Sequence, residues 1–180
     1  MLAGCATGGL RQPFDFAQGD KAVQGDKAKD DVPALSGAKS WMSPDAKDTD
    51  LIYISDSATY DVYVYAYSQG RHDLRLVGTL TDQNNPAGLC VDRKGDVFVT
   101  QLYGHQIVEY KHGGTTPINT LSDPGYEPGA CSINGRQSLA VANIVSDTFT
   151  QGNLVVYPEA KGTPIPYSPP GGASVEPSPL

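Results

Sequence analysis

The chain has 180 residues, room for one ordinary domain with some tail. Apolar residues make up 39% and charged residues 18%, so a core is possible, while 20 Gly and 14 Pro punctuate the chain too often for long helices. The net charge is −7, and no basic patch or membrane-length apolar run is visible, which argues against a nucleic-acid partner and a membrane-spanning helix.

In chain order, the first feature is Leu2-Ala3-Gly4-Cys5, which resembles a bacterial lipobox, with Cys5 as the lipidated residue. The basic and apolar regions of an export signal do not precede it, so this reading carries the expectation that the coding start lies upstream of Met1. Gln18-Gly19-Asp20-Lys21-Ala22 then recurs as Gln24-Gly25-Asp26-Lys27-Ala28. Such a stretch buries too little apolar surface to offset its ordering entropy, so residues 1–39 are expected to be a lipobox-like start and a disordered linker. A cell-envelope address outside the cytoplasm follows as an expectation, with the membrane met only through a lipid anchor on more than one acyl chain.

From residue 40 three related units follow, over 40–81, 87–122 and 129–167. Each has a β-type run, a polar connection and a second run that ends in or near Tyr. Tyr65, Tyr110 and Tyr157 lie 45 and 47 residues apart, and Thr116-Pro117-Ile118 recurs 47 residues later as Thr163-Pro164-Ile165. Four strands per unit are expected: 41–43, 51–55, 62–67 and 76–80; then 89–92, 97–101, 106–110 and 117–121; then 130–134, 138–142, 153–157 and 164–167. Pro117 and Pro164 fall on the fourth strand, an outer edge where a missing amide donor is tolerated. Turns are expected at 93–96 and 134–137, with Gly95 and Gly135 supplying positive φ. The segment 45–50 reads as a solvated turn. Val97, Val99, Ile107 and Tyr110 are the candidate packing residues of the middle unit. The tail 168–180 is polar and Pro-rich, and is expected to be disordered.

A period of 40–50 residues with four short strands is the signature of propeller blades. The phrase PAGLCVDRKGDVFVTQ…QIVEY resembles the NHL-repeat and gluconolactonase-like propellers. The fold class expected is therefore all-β, three four-stranded antiparallel blades of a β-propeller forming an incomplete ring. Propellers close with 4–8 blades. Three blades thus imply either a piece of a longer propeller protein or copies that self-associate through exposed blade faces.

Cys90 and Cys131 stand at matching places in two units and read as two buried thiols, with a disulfide as the alternative in an oxidising compartment. In the propellers this chain resembles, the end of the second strand and the loop after it often face one end of the central channel. The matching positions are Asp56, Gln101 and Asn143, with Tyr103 and His105 in the loop of the middle unit and Tyr60 in that of the first. One carboxylate and two amides hold too little charge for a divalent cation, so no metal and no cofactor are expected. His72, His105 and His112 have no partner at catalytic spacing. The function expected is a non-catalytic binding or scaffold module that presents loops to a protein, glycan or small ligand. The alternative implied by the resemblance is a metal-dependent lactonase-like hydrolase.

Overall fold

The computed structural model describes residues 39–68 and 74–167. The lipobox-like start with Cys5, the repeated spacer, His72 and the tail from 168 lie outside the described residues. The described residues form twelve strands: β1 (Trp41–Met42), β2 (Leu51–Asp56), β3 (Asp61–Tyr67), β4 (Leu74–Leu80), β5 (Pro86–Val91), β6 (Val97–Gln101), β7 (Gln106–Tyr110), β8 (Pro117–Ser122), β9 (Tyr126–Ile133), β10 (Leu139–Ser146), β11 (Leu154–Tyr157) and β12 (Ile165–Pro166). Two short 3-10 turns accompany them, one at Pro44–Asp48 where a solvated turn is expected and one at Pro158–Ala160.

The strands make three four-stranded antiparallel sheets, in the orders β2-β3-β4-β1, β5-β6-β7-β8 and β9-β10-β11-β12. These are the blades of a β-propeller, an incomplete ring of three. Pro117 lies on the outer strand β8 as expected, whereas Pro164 falls just before the outer strand β12, which carries Pro166 instead. The middle blade is covered on both sides, and β6 reads VFVTQ with every residue buried, as a strand covered on both faces requires. In β3, which is covered on one side, Val62, Val64 and Ala66 are buried while Tyr63 and Tyr65 between them are only half-buried.

Two cores hold the blades together. Val62 and Leu80 of the first blade pack against Val97, Val99, Val108 and Tyr110 of the second. Phe98, Ile107 and Leu121 of the second pack against Leu139, Val141, Val155 and Tyr157 of the third. All four packing residues expected for the middle unit are buried, and they divide between the two cores. Each fully buried aliphatic or Phe side chain contributes roughly 1.5–3 kcal/mol, so these contacts dominate the stability of the stack.

Three features differ from the sequence reading. In the second and third blades the first strand pairs with the second, as β5 with β6 and β9 with β10. In the first blade β1 pairs instead with β4, Trp41 opposite Thr79 and Met42 opposite Gly78. A 3-10 turn stands where a tight hairpin would be needed, and the Ser43 amide is held by the Val77 carbonyl at 2.7 Å. Gly78 makes the approach possible, because a Cβ there would stand 2.9 Å from the Trp41 carbonyl oxygen.

Second, Cys90 and Cys131 are a disulfide and not two thiols, with Cα atoms 5.7 Å apart. Their matching places on β5 and β9 bring them together because these two strands lie against each other. Third, Gly95 has φ 85° as expected, but in the turn at 134–137 the positive φ of 63° belongs to Gln137 and not to Gly135. The two turns superpose from Asp92 and Asn134, so Gln137 is the partner of Gly95. Gly135 serves a different need, since a Cβ there would run into the Arg93 guanidinium.

Candidate functional site at the hairpin end of the blades

The turns after β2, β6 and β10 share one end of the stack with the two crossovers that lead from blade to blade. Backbone hydrogen bonds lock them together. The Gln83 amide donates to Tyr60 O at 2.9 Å, and the Leu102 and Tyr103 amides donate to Asn85 O and Asn84 O at 3.0 and 3.2 Å. At the next junction the Asp123 amide donates to His105 O at 2.8 Å and the Asp147 amide to Gly125 O at 3.0 Å. Left-handed backbone is concentrated here: Tyr60, Asp82, Asn84, Asn85, His105 and Phe149 all have φ between 46° and 62°. Asn and Asp tolerate that region, whereas Tyr and Phe seldom occupy it. Strained residues of this kind persist where the surroundings over-determine them, and they cluster at binding sites.

The sequence-derived candidates take up different roles. Asp56 and Gln101 are register-equivalent, pairing with Asp61 and Gln106 across their hairpins. Asp56 accepts from the Ala58 amide at 2.8 Å and so shapes its own turn. Gln101 is buried, its Nε2 donating to Gln83 Oε1 at 3.1 Å and its Oε1 accepting from Gln106 Nε2 at 2.7 Å. Asn143 is buried too, and donates to Asn153 Oδ1 at 2.7 Å. His105 is half-buried, its Nδ1 2.8 Å from the Tyr126 carbonyl and 3.2 Å from Asp147 Oδ1, a carboxylate that spacing did not reveal. Tyr103 is 63% exposed and Tyr60 45% exposed. The structure brings these two tyrosines together with Asp82 and Asn84 around an open cleft of about 200 Å³.

Beneath the cleft each junction carries a buried polar group that the sequence reading missed. At the first, Gln83 donates to Thr81 O at 2.8 Å, and its Oε1 accepts from both Gln101 and the Tyr110 hydroxyl, the latter at 3.2 Å. At the second, Asp123 takes the place of Gln83, and the Tyr157 hydroxyl donates to Ser122 O at 3.0 Å. Burial pushes the Asp123 carboxyl up from its ordinary range, offset in part by Asn143, by the nearby His105 and by Tyr157. Burial and the charge of Asp123 together raise the Tyr157 phenol far above its usual range. Asn85 Oδ1, Asp123 Oδ2 and Asn143 Oδ1 are buried without a hydrogen-bond partner. The spacing of Tyr110 and Tyr157 was visible in the sequence, but nothing marked Gln83 and Asp123 as their partners.

A divalent cation with oxygen ligands takes six or more donors, with several carboxylates among them. The buried orphan oxygens belong to two amides and one carboxylate, and among the described residues no cluster of three His, Cys, Asp or Glu is placed to hold a metal. These residues do not fit a metal centre. At the opposite end the structure does gather a small basic cleft that no local run predicted, with Lys47, Lys94 and Lys111 arriving from three loops around about 520 Å³.

The fold is thus a stack of propeller blades with one loop-lined, polar end. Residues 42–141 match the sequence model of the family described as the SMP-30/gluconolactonase/LRE-like region. That match spans more than half of the chain, and the chain belongs to this family. Among solved structures it is similar to a luciferin-regenerating enzyme, at 16% identity and a TM-score of 0.51, over 64% of this chain and 42% of that one. It is also similar to a protein from Lactobacillus plantarum, at 21% identity and a TM-score of 0.50, over 72% of this chain and 39% of that one. At such identities the likeness is one of fold. The chain spans about two fifths of the length of either structure. Comparison with curated proteins gives no match.

Proposed function

We propose that the chain is a binding module of this propeller family, and that the cleft of Tyr60, Asp82, Asn84 and Tyr103 holds a small hydroxyl-bearing ligand such as a sugar ring. The observation that carries the reading is the pair of exposed tyrosines flanking a carboxylate and an amide. Phenol faces pack on the apolar face of a sugar, and Asp82 and Asn84 supply acceptors and a donor for its hydroxyls. The crossover backbone is fixed by the bonds to Tyr60, Leu102 and Tyr103, so little ordering cost remains for binding. Titration calorimetry against glucans and N-acetylglucosamine oligomers tests this. Tyr103→Ala is expected to weaken binding about tenfold, about 1.4 kcal/mol, with an unchanged melting temperature. Absence of any carbohydrate binding, or binding indifferent to both Tyr103→Ala and Asp82→Asn, rejects the reading.

Family membership favours a second reading, a metal-dependent lactonase-like hydrolase. Equilibrium dialysis with Ca²⁺ and Zn²⁺, followed by a gluconolactone hydrolysis assay, separates the two. Metal-dependent turnover would replace the binding-module reading.

The same proposal places the protein outside the cytoplasm, tethered through lipid on Cys5. The Cys90–Cys131 bridge supports it, because disulfides persist in oxidising compartments and are rare in the cytosol. Metabolic labelling with palmitate and thiol trapping in cells are the checks. An unlabelled product with reduced Cys90 and Cys131 would exclude this address.

A further inference from the structure

We propose that the cleft of Lys47, Lys94 and Lys111 is a binding site for the phosphate group of a small phosphomonoester. It lies at the end of the blades opposite the tyrosine cleft, so the inference goes beyond the ligand proposed there. The three lysines arrive from separate places. Lys47 comes from the 3-10 turn at Pro44–Asp48, Lys94 from the turn between β5 and β6, and Lys111 directly follows β7. The whole lining belongs to the first two blades, so the cleft is built from described residues of one junction.

The backbone that carries these lysines is held in place. The His112 amide donates to Asp96 Oδ1 at 3.0 Å, which ties the Lys111 loop to the turn of Lys94. Two bonds reach the first blade. His112 Nε2 donates to Thr49 O at 3.0 Å, since a carbonyl only accepts, and the Gly113 amide donates to the Tyr53 hydroxyl at 3.3 Å. Gly113, buried at φ 62°, lies so close to the Ala46–Lys47 peptide that a Cβ would stand 3.0 Å from the Lys47 amide nitrogen. The lysines thus share a cleft because two blades are locked together beneath them, and little backbone ordering remains for binding.

The charge here runs against that of the whole chain, which is −7. Among the described residues none of the three lysines forms an ion pair; the pairs found there are Arg75–Asp45 and His105–Asp147. Like charges gathered in one cleft repel, and a bound anion relieves that repulsion. A lysine ammonium is a compact point charge with rotatable donors, which suits it to phosphate. A phosphomonoester brings a charge of about −1.5 to −2 at pH 7 and three acceptor oxygens, a match for three ammonium groups. Thr115 and Thr116 line the same cleft and add hydroxyl donors. Ile118, 45% exposed, and the lysine stems offer apolar surface to the organic part of the ligand. The volume of about 520 Å³ falls within the roughly 300–1,000 Å³ of small-molecule sites. Lys94 also lines the adjoining cleft of Asp92 and Glu109, so its charge is shared, and Lys47 and Lys111 contribute more to the anion.

Titration calorimetry of the full chain with phenyl phosphate tests it, with inorganic phosphate, phenyl sulfate and phosphatidylglycerol vesicles as further arms. Phenyl phosphate is expected to bind more tightly than inorganic phosphate, which lacks the apolar ring. It is also expected to bind roughly tenfold more tightly than phenyl sulfate, a monoanion of the same shape. Lys47→Gln and Lys111→Gln, both at exposed positions, are each expected to weaken phenyl phosphate roughly tenfold, and Lys94→Gln about threefold, with unchanged melting temperatures. Tyr103→Ala is expected to leave this binding untouched, which separates it from the tyrosine cleft. Added sodium chloride is expected to weaken it. No binding of phenyl phosphate overturns the proposal, as does binding that survives the double variant Lys47→Gln/Lys111→Gln. Phenyl sulfate bound equally well, or vesicles bound while phenyl phosphate is not, overturns it too.

Discussion

The junction between the first and second blades buries Gln83, Gln101 and Tyr110, whereas the junction between the second and third buries Asp123, Asn143 and Tyr157. The two trios occupy equivalent places, and the phenol in each points into the crossover. The amide of Gln83 both donates and accepts, so its donor and acceptor are used. A carboxylate only accepts, and Asp123 Oδ2 is left without a partner beside an unpaired Asn143 Oδ1. The second junction is also the one with a covalent bridge, while both junctions carry further cross-blade hydrogen bonds, Gln137 Nε2 to Asp92 Oδ2 at 2.7 Å in the second and Ser55 Oγ to Ala87 O at 2.7 Å in the first. The first junction leaves one buried oxygen without a partner, Asn85 Oδ1, and the second leaves two, so equal positions in a repeat carry unequal polar satisfaction and the poorer junction is the one stapled.

The largest break in that comparison comes from removing the staple. The bridge closes a separation of 41 residues, for which loop entropy gives about 4 kcal/mol. The double variant Cys90→Ser/Cys131→Ser is expected to lose about that much in urea unfolding. Hydrogen exchange is expected to show the third blade losing protection before the first junction does. Equal loss across both junctions would show that the staple acts on the whole stack.

Gln83→Ala attacks the first junction in its polar centre. It leaves Gln101 Nε2 and the Tyr110 hydroxyl buried and unpaired, a loss of about 2 kcal/mol. Tyr110→Phe removes one of these groups along with its bond and is expected to cost about 1 kcal/mol, which thermal melts resolve.

Asp123→Asn sharpens the comparison by making the second junction neutral like the first. Burial raises the folded-state pKa of Asp123 above the ordinary 3.8, so ionisation weakens the fold. The stability that the protonated carboxyl allows is whole below pH 3.8 and is lost as pH rises through the folded value. Near pH 7 the variant is therefore expected to be the more stable chain, by about 1.5 kcal/mol, the order of one unsatisfied buried group. Below pH 3.8 the two should converge. Burial raises Asp61 and Glu109 as well, but both chains carry them and the difference cancels their effect. A variant less stable than the wild type at pH 7 would show that Asp123 is held as an anion by His105.

The repeat itself was legible in the sequence because blade packing needs apolar residues at fixed steps, and Tyr65, Tyr110 and Tyr157 keep those steps. Strand order in the first blade was not, because nothing in Trp41–Met42 distinguishes pairing with β2 from pairing with β4. That choice falls to Gly78 and to the 3-10 turn, which act through space. The disulfide was open for the same reason, since two cysteines 41 residues apart meet only if β5 and β9 are neighbours. Of the site, Tyr60 and Tyr103 were visible as loop aromatics. Asp82 and Asn84 were not, because a crossover between blades reads as an ordinary polar turn until both neighbours are in place.

The smallest effect concerns the paired turns at Asp92 and Asn134. Asp92 Oδ1 accepts from the Lys94 and Asp96 amides at 2.8 and 3.0 Å, and Asn134 Oδ1 from the Arg136 and Ser138 amides at the same distances. At the left-handed position one turn has Gly95 and the other Gln137. Gly95→Ala introduces a Cβ 2.8 Å from His112 Nδ1 at positive φ, and is expected to cost about 1 kcal/mol. Gln137→Gly relieves a similar backbone penalty but loses the bond to Asp92 and loosens the unfolded chain. These terms nearly cancel, so the expected change is within about 0.5 kcal/mol. Paired melts at pH 7 decide it. A clear gain for Gln137→Gly would mean that the Gln137–Asp92 bond contributes little to holding the second and third blades together.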